Sequence, residues 1–172
     1  MTSCKKLRRS LFGCLFAGFI SIMLYAHWST LPLPEGTQVD FIRIEKAAHK
    51  LTLYKDNQTL AIYTIALGRS PVGPKTHADD HKTPEGTYQI DFHKKNSAFH
   101  RSLHISYPAA KDMNAPNPGG DIMIHGLRNG LGFVGRLHRL FDWTQGCIAL
   151  TNDEIDQLYN AVPNGTQIEI LP

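Results

Sequence analysis

Short apolar runs of strand length recur along the chain, each closed by polar or turn-forming residues. Val39-Asp40-Phe41-Ile42-Arg43-Ile44 and Leu51-Thr52-Leu53-Tyr54 read as strands, separated by the polar stretch Glu45 to Lys50. Asp56-Asn57 signals a turn, and Thr59 to Leu67, rich in Ile, Tyr and Thr, is the next strand. The three together predict an antiparallel meander. Gly68 to Gly86 then holds Pro71, Gly73, Pro74, Asp79, Asp80 and Pro84, which no regular element tolerates together. A loop of that length inside a compact domain is usually functional, as a lid or a binding loop. Thr87 to His93 returns to a strand, Lys94-Lys95 reads as a solvated turn, and Leu103 to Ser106 is a shorter strand.

Residues 108 to 120 form a second Pro/Gly/Asn-rich connection. Ile122-Met123-Ile124 is a buried strand that delivers His125 and Gly126 at its end. Phe133, Leu137 and Leu140 stand at helical spacing, which predicts a short helix within Gly130 to Phe141. Cys147 to Leu150 is a brief strand. Thr151 or Asn152 caps a helix with Asp153 and Glu154 in its first turn, where carboxylates complement the helix dipole. Ile155, Leu158, Tyr159 and Val162 are its inward face; Pro163-Asn164-Gly165 ends it, and Thr166 to Leu171 is the last strand. No segment repeats. The pattern predicts a mostly β domain, a mixed β-sandwich or curled sheet with a few short helices, and leaves the strand order open.

Lys5, Lys6, Arg8 and Arg9 precede an almost unbroken apolar run from Leu11 to Tyr25. Positive residues ahead of such a run keep that end in the cytoplasm and send the remainder across the membrane. Extended to Trp28 the run reaches spanning length. The reading is an uncleaved signal anchor over 1–28, with a cleaved signal as the alternative, a linker over 29–37, and one domain over 38–172. The net charge of +3 is largely this N-terminal cluster. The domain therefore lacks the basic patch that nucleic-acid binding needs. Export also sorts the three cysteines, leaving Cys147 as the lone thiol of the exported domain, with no disulfide partner there.

A lone thiol is either a small buried hydrophobe or a nucleophile. Cysteine chemistry needs a base, a group that orients the base, and donors for the developing oxyanion. Gly146 lets a substrate carbonyl approach the amides of Gly146 and Cys147. His125 stands at a strand end, and the carbonyl of Gly126 is placed to fix its tautomer as an aspartate does in a triad. Alone, His125 would read as a structural histidine; with Cys147 it reads as the base.

Three blocks carry a family resemblance: Gly68-Arg69-Ser70-Pro71-Val72-Gly73-Pro74-Lys75 with Lys82-Thr83-Pro84-Glu85-Gly86-Thr87-Tyr88; Ile122-Met123-Ile124-His125-Gly126; and Thr144-Gln145-Gly146-Cys147-Ile148-Ala149-Leu150-Thr151-Asn152 with the Pro163-Asn164-Gly165-Thr166 ending. From Val39 to Leu171 the chain resembles the L,D-transpeptidase catalytic domain (YkuD type) of bacterial cell-wall enzymes, in a branch with Asp142-Trp143-Thr144 before the nucleophile loop. The resemblance implies a periplasmic domain held at the inner membrane, acting on peptidoglycan stem peptides as a monomer. Cys147 would attack the amide between a diamino acid and a terminal D-residue. The D-amino acid leaves, and an amine or water takes the acyl group. His125 would be base and then acid, Gly126 its orienter, and the Gly146 and Cys147 amides the oxyanion hole. No metal or organic cofactor is implied.

Gln145 and Ala149 stand where many members have His and Arg, and Asp79 and His81 where the loop often has glycines. Gln145 retains a hydrogen-bond donor; Arg136, Arg139 or the 68–86 loop are candidates to replace the absent arginine. Tyr107, Gln145, Arg139 and His138 are the substrate-side candidates, each with a packing role as the plainer reading. His77, Asp79, Asp80 and His81 are better explained as a solvated loop than as metal ligands, and Lys75 as a surface loop lysine than as a substrate contact. Alternatives to transfer are an L,D-carboxypeptidase or wall-linkage hydrolase using the same pair, and an anchored non-catalytic peptidoglycan-binding module.

Overall fold

The structure is a computed structural model that describes residues 2–172, and side-chain surroundings from residue 13 onward. Cys4, Lys5, Lys6, Arg8 and Arg9 therefore lie outside the residues whose side chains are described. Helix α1 is Thr2–Ala26 and α2 is Asn152–Ala161. The strands are β1 (Phe41–Glu45), β2 (Lys50–Lys55), β3 (Gln58–Thr64), β4 (Gly86–Ser97), β5 (His100–Ile105), β6 (Met123–His125), β7 (Ile148–Ala149) and β8 (Gln167–Leu171).

All eight strands join one sheet in the order β3-β2-β1-β8-β4-β5-β6-β7. β1, β2 and β3 form the antiparallel meander, while β1–β8 and β6–β7 pair parallel. The first residues of β4 pair with β8 and those from Ile90 onward with β5. One long strand thus serves both halves. A register shift between Ile90 and Phe92 bends it, and the sheet curls there. This is the curled mixed sheet with few short helices that the pattern predicts. Alternation drives it in β1 and β8, where Ile42 and Ile44 and Ile168 and Ile170 are buried between more exposed neighbours; β2 is buried continuously across Leu51, Thr52 and Leu53. Each such leucine or isoleucine side chain contributes roughly 1.5–3 kcal/mol of burial.

Several segments differ from expectation. β4 runs through Lys94-Lys95 to Ser97 instead of turning there, because the projecting hairpin is wet on both faces and needs no apolar alternation. β3 stops at Thr64; Ile65, Ala66 and Leu67 leave the meander fully buried and bridge to the nucleophile segment through Ala66↔Ala149. The short helix is a 3-10 segment, Gly132–Leu140, broken at Gly135. Gly135 has φ 51°, and an added Cβ would collide with the carbonyl of Ala26 at the end of α1. The linker lies along α2: Thr30 Oγ1 donates to Glu154 at 3.3 Å and Leu33 N–H to Gln157 Oε1 at 3.3 Å.

Lys46, only 2% exposed, closes the long loop over the sheet. Its ammonium donates to Gly73 O (2.7 Å), Thr83 O (3.1 Å) and Glu85 Oε1 (2.8 Å). All three protons are used, which is what makes a buried lysine tolerable. Lys46→Met strips the donor from two carbonyls and a carboxylate and is expected to cost about 3–5 kcal/mol in urea unfolding. A loss below about 1 kcal/mol would show that the loop is held by other means.

Candidate active site

β6 and β7 run side by side with Ile124 opposite Ile148 and His125 opposite Ala149. Cys147, one residue before β7, therefore falls opposite Met123. Strand alternation puts Cys147 and His125 on one face, about 4.8 Å apart across the strands and about 6.6 Å along them. Both line a single cleft of about 1120 Å³.

His125 Nδ1 lies 2.7 Å from Gly126 O. A carbonyl only accepts, so Nδ1 carries the hydrogen and Nε2 keeps its lone pair. Burial pushes the imidazole pKa down to about 4, against the raising effect of the Gly126 carbonyl. The Phe99 and Trp143 rings enclose it at centroid distances of 4.5 and 5.7 Å. Cys147 Sγ donates to Asp121 O at 3.5 Å and forms no hydrogen bond to His125. Burial pushes the thiol up; the Met123 amide opposes this, the Asp121 charge adds to it, and Lys75 opposes it. The resting pair is thus a neutral thiol and a neutral imidazole.

Residues 142–147 are fixed by contacts that the sequence reading did not assign. Asp142 accepts from Leu67 N–H (2.7 Å) and faces His49 Nε2 (2.9 Å). Thr144 Oγ1 donates to Cys147 O (2.6 Å) and accepts from Gly146 N–H (3.1 Å). A Ser/Thr hydroxyl bonding the backbone two residues on is a recognisable turn device, so Thr144 had a local signal. Asp142 and Phe99 had none. The Gly146 N–H, expected as an oxyanion donor, is committed to Thr144. Of the two expected amides, only that of Cys147 stays outside this bond.

Gln145 is exposed on the cleft wall, and His138 lines the cleft although only 5% exposed. Trp143 Nε1–H donates to His138 Nδ1 at 3.4 Å, which leaves the hydrogen on Nε2, a buried donor without a partner. Burial, reinforced by Arg139, lowers the His138 pKa to about 4. Arg139 lies outside the cleft lining and is paired with the buried Glu154, which also accepts from Thr151 N–H at 3.0 Å. Tyr107 is packed away too, 3% exposed, its hydroxyl donating to Pro118 O at 2.9 Å. Ala149 is fully buried and paired on both backbone groups with Ala66, so an arginine there would have to open the wall. The cations that do line the cleft include Arg69 and Lys75 of the long loop. Lys75, read as a surface lysine, has a side chain only 3% exposed and binds Asp80 Oδ1 at 2.7 Å.

Burial alone would raise the Asp80 carboxyl. The bond from Lys75 and three backbone amides instead hold it well below the usual carboxylate range. Asp79 and His81 both adopt left-handed φ (61° and 56°), the region glycine enters without strain. Among the described residues no group of three His, Cys, Asp or Glu is arranged to hold a metal ion.

The two buried histidines set a pH dependence. Folding lowers each from about 6.5 to about 4, so the unfolded chain binds more protons between those values. Stability is full above about pH 6.5 and falls as pH drops toward 4. Urea midpoints are expected to fall between pH 7 and 4.5, less steeply in His138→Gln. A flat profile would mean that these rings are solvated.

The family model for the L,D-transpeptidase catalytic domain (YkuD) matches residues 39–170. The chain belongs to this family. A protein named as an L,D-transpeptidase, YafK of Escherichia coli (strain K12), is 30% identical over 128 residues, covering 71% of this chain and 46% of YafK. A second so named, YqjB of Bacillus subtilis (strain 168), is 25% identical over 147 residues, covering 81% and 73%. The solved helical cell shape determining protein Pgp2 of Campylobacter jejuni shares the fold, with TM-score 0.63 and 21% identity over 87% of this chain and 53% of that chain. The chain spans about half the length of YafK and Pgp2. L,D-transpeptidase membership puts it among enzymes of that superfamily.

Proposed function

We propose that this protein is a cysteine acyltransferase of peptidoglycan, an L,D-transpeptidase with Cys147 as nucleophile and His125 as its proton acceptor and donor. The observation that carries the reading is the imidazole. Its Nδ1 is held by Gly126 O at 2.7 Å, and its Nε2 lone pair is free on the strand beside the thiol. Rotation of the thiol from Asp121 O toward Nε2 starts the reaction; catalytic hydrogen bonds often tighten only with substrate bound. As Sγ attacks the stem-peptide carbonyl, its proton passes to Nε2 and then to the departing D-amino acid. The Cys147 amide donates to the oxyanion, and Gln145, exposed beside it, is the second candidate donor. Arg69, exposed on the cleft wall, supplies positive charge for a substrate carboxylate.

Incubation of the full chain with tetrapeptide-stem muropeptides, followed by chromatography, tests this. Loss of terminal D-alanine, abolished in Cys147→Ala, is expected. Crosslinked dimers would name an amine acceptor and tripeptides water. Intact tetrapeptides throughout would favour the binding-module reading.

The location follows the same proposal: a periplasmic domain tethered to the inner membrane by its N-terminal segment, acting as a monomer. Exposed Leu15, Phe16, Phe19, Ile22 and Leu24 on α1 support it. Among the described residues no helix is long and apolar enough to cross a membrane. Retention of the full chain in carbonate-washed membranes is the expected result; release would indicate cleavage or peripheral attachment. Light scattering of detergent-solubilised protein at the mass of one chain is the corresponding result for the monomer.

A further inference from the structure

Helix α1 ends directly on the domain, with no slack between them. Ala26, its last residue, is 2% exposed and packs on Gly135 of the 3-10 segment, where any side chain would meet the Ala26 carbonyl. The chain beyond continues the turn, His27 N–H donating to Met23 O (3.1 Å) and Trp28 N–H to Tyr25 O (3.3 Å). Thr30 then donates to one oxygen of Glu154, whose other oxygen takes Arg139 from the 3-10 segment. The end of α1 and the segment Gly132–Leu140 are one packed unit.

The outer side of that unit is apolar and basic. Phe133 is 66% and Leu140 74% exposed, and neither lines the catalytic cleft. Trp28, at the end of the helix, is 69% exposed. From Leu127 to Phe141 the chain carries Arg128, Arg136 and Arg139 and no acidic residue. Arg139 is taken by Glu154, whereas Arg128 and Arg136 form no salt bridge among the described residues. Exposed Phe, Leu and Trp beside arginines without carboxylates make up the composition of a segment that lies in a lipid headgroup layer.

We propose that Phe133, Leu140 and Trp28, together with Arg128 and Arg136, form a docking surface for an anionic lipid bilayer, so that the catalytic domain lies on the membrane. The inference rests on the membrane-tether reading above. Leu11 to Tyr25 rises about 22 Å as a helix, against about 30 Å of hydrocarbon. Burying so short a run draws the helix down until Trp28 reaches the headgroups, the depth that indole rings favour. Ala26 sits at that level, and so does whatever packs on it. Phe133 and Leu140 then leave water for the acyl boundary, and the two guanidiniums meet lipid phosphates. A two-fold contact with a second copy would instead set this carboxylate-free surface against itself. The same segment lines the cleft with Val134 and His138, so docking also fixes the height of the active site above the bilayer.

The test uses the full chain in phosphatidylethanolamine–phosphatidylglycerol vesicles that contain a lipid with a nitroxide near its headgroup. One tryptophan is added at a time: Leu140→Trp on the proposed surface, Phe19→Trp in α1 and Leu60→Trp on the edge strand β3. Quenching of the added fluorescence, taken as the difference from wild type, is the readout. Leu140→Trp is expected to be quenched at least about threefold more than Leu60→Trp. Adding Phe133→Glu, or omitting phosphatidylglycerol, should bring it down toward Leu60→Trp. An unchanged urea midpoint in detergent shows that Phe133→Glu still folds. Quenching of Phe19→Trp with Leu140→Trp no better than Leu60→Trp would overturn the docking surface and leave the tether standing. Leu140→Trp quenching that survives both changes would overturn it as well, as would a shielded Leu140→Trp in protein with the mass of two chains. No quenching of Phe19→Trp would remove the tether and the surface with it.

Discussion

His125→Ala is expected to slow acylation of Cys147 by about 10²–10⁴-fold. The size of the effect follows from the resting state. An ordinary thiol is only a few per cent thiolate at neutral pH. Cys147 holds less, because burial and the nearby Asp121 disfavour its charge more than the Met123 amide and Lys75 favour it. Nearly every productive attack must therefore shed a proton, and the imidazole is the neutral base on the adjacent strand. Its pKa of about 4 keeps it unprotonated throughout the neutral range, so it is always ready to accept. Without it, acylation should rise steadily with pH above neutrality as thiolate forms unaided, where the wild type is flat. Single-turnover acylation from pH 6 to 9 measures both features. A variant within tenfold of wild type, or one with an unchanged pH profile, would remove His125 from the proton path.

Gly146→Ala is expected to lower stability by about 2–4 kcal/mol and acylation by about 10²-fold. Gly146 has φ 123°, and a Cβ there would stand 2.6 Å from the carbonyl of Lys82 and 3.3 Å from Ile122 Cδ1. The Lys82 carbonyl cannot give way easily. Its neighbour Thr83 is held by Lys46 through its carbonyl, and the Thr83 hydroxyl accepts from Gly68 N–H at 3.2 Å. The strain therefore passes either into the long loop or into Cys147. Gly165→Ala is the comparison, since Gly165 has φ 91° with nothing within 4 Å of the added carbon. It should cost only about 1 kcal/mol and spare acylation. Equal losses in the two variants would mean that the contact with Lys82 is unimportant.

Legibility in the sequence followed local physics. β1 and β8 were readable because half-buried strands must alternate, and α2 because its cap, acidic first turn and Pro-Asn-Gly stop are local signals. The end of β4 was not readable: a hairpin in water on both faces has no pattern to show. Ile65, Ala66 and Leu67 looked like a continuation of β3, because burial in a bridge demands the same apolar residues as burial in a strand. At the candidate site, His125, Gly126 and Cys147 stood out by residue type and neighbours. Lys75 and Arg139 were misplaced for one reason. Long charged side chains look solvated unless their partners are known, and Asp80 and Glu154 become partners only in three dimensions. The Gly146 amide was assigned to the oxyanion before the Thr144 hydroxyl could be seen to occupy it.

The central claim is that Cys147 carries the acyl group. Intact mass of the full chain, quenched within seconds of mixing with a tetrapeptide-stem muropeptide, tests it most directly. The account predicts a mass increase equal to the donor minus D-alanine, mapped to Cys147 and absent from Cys147→Ala. An unmodified mass in folded protein that nonetheless releases D-alanine, or the same adduct on Cys147→Ala, would contradict it.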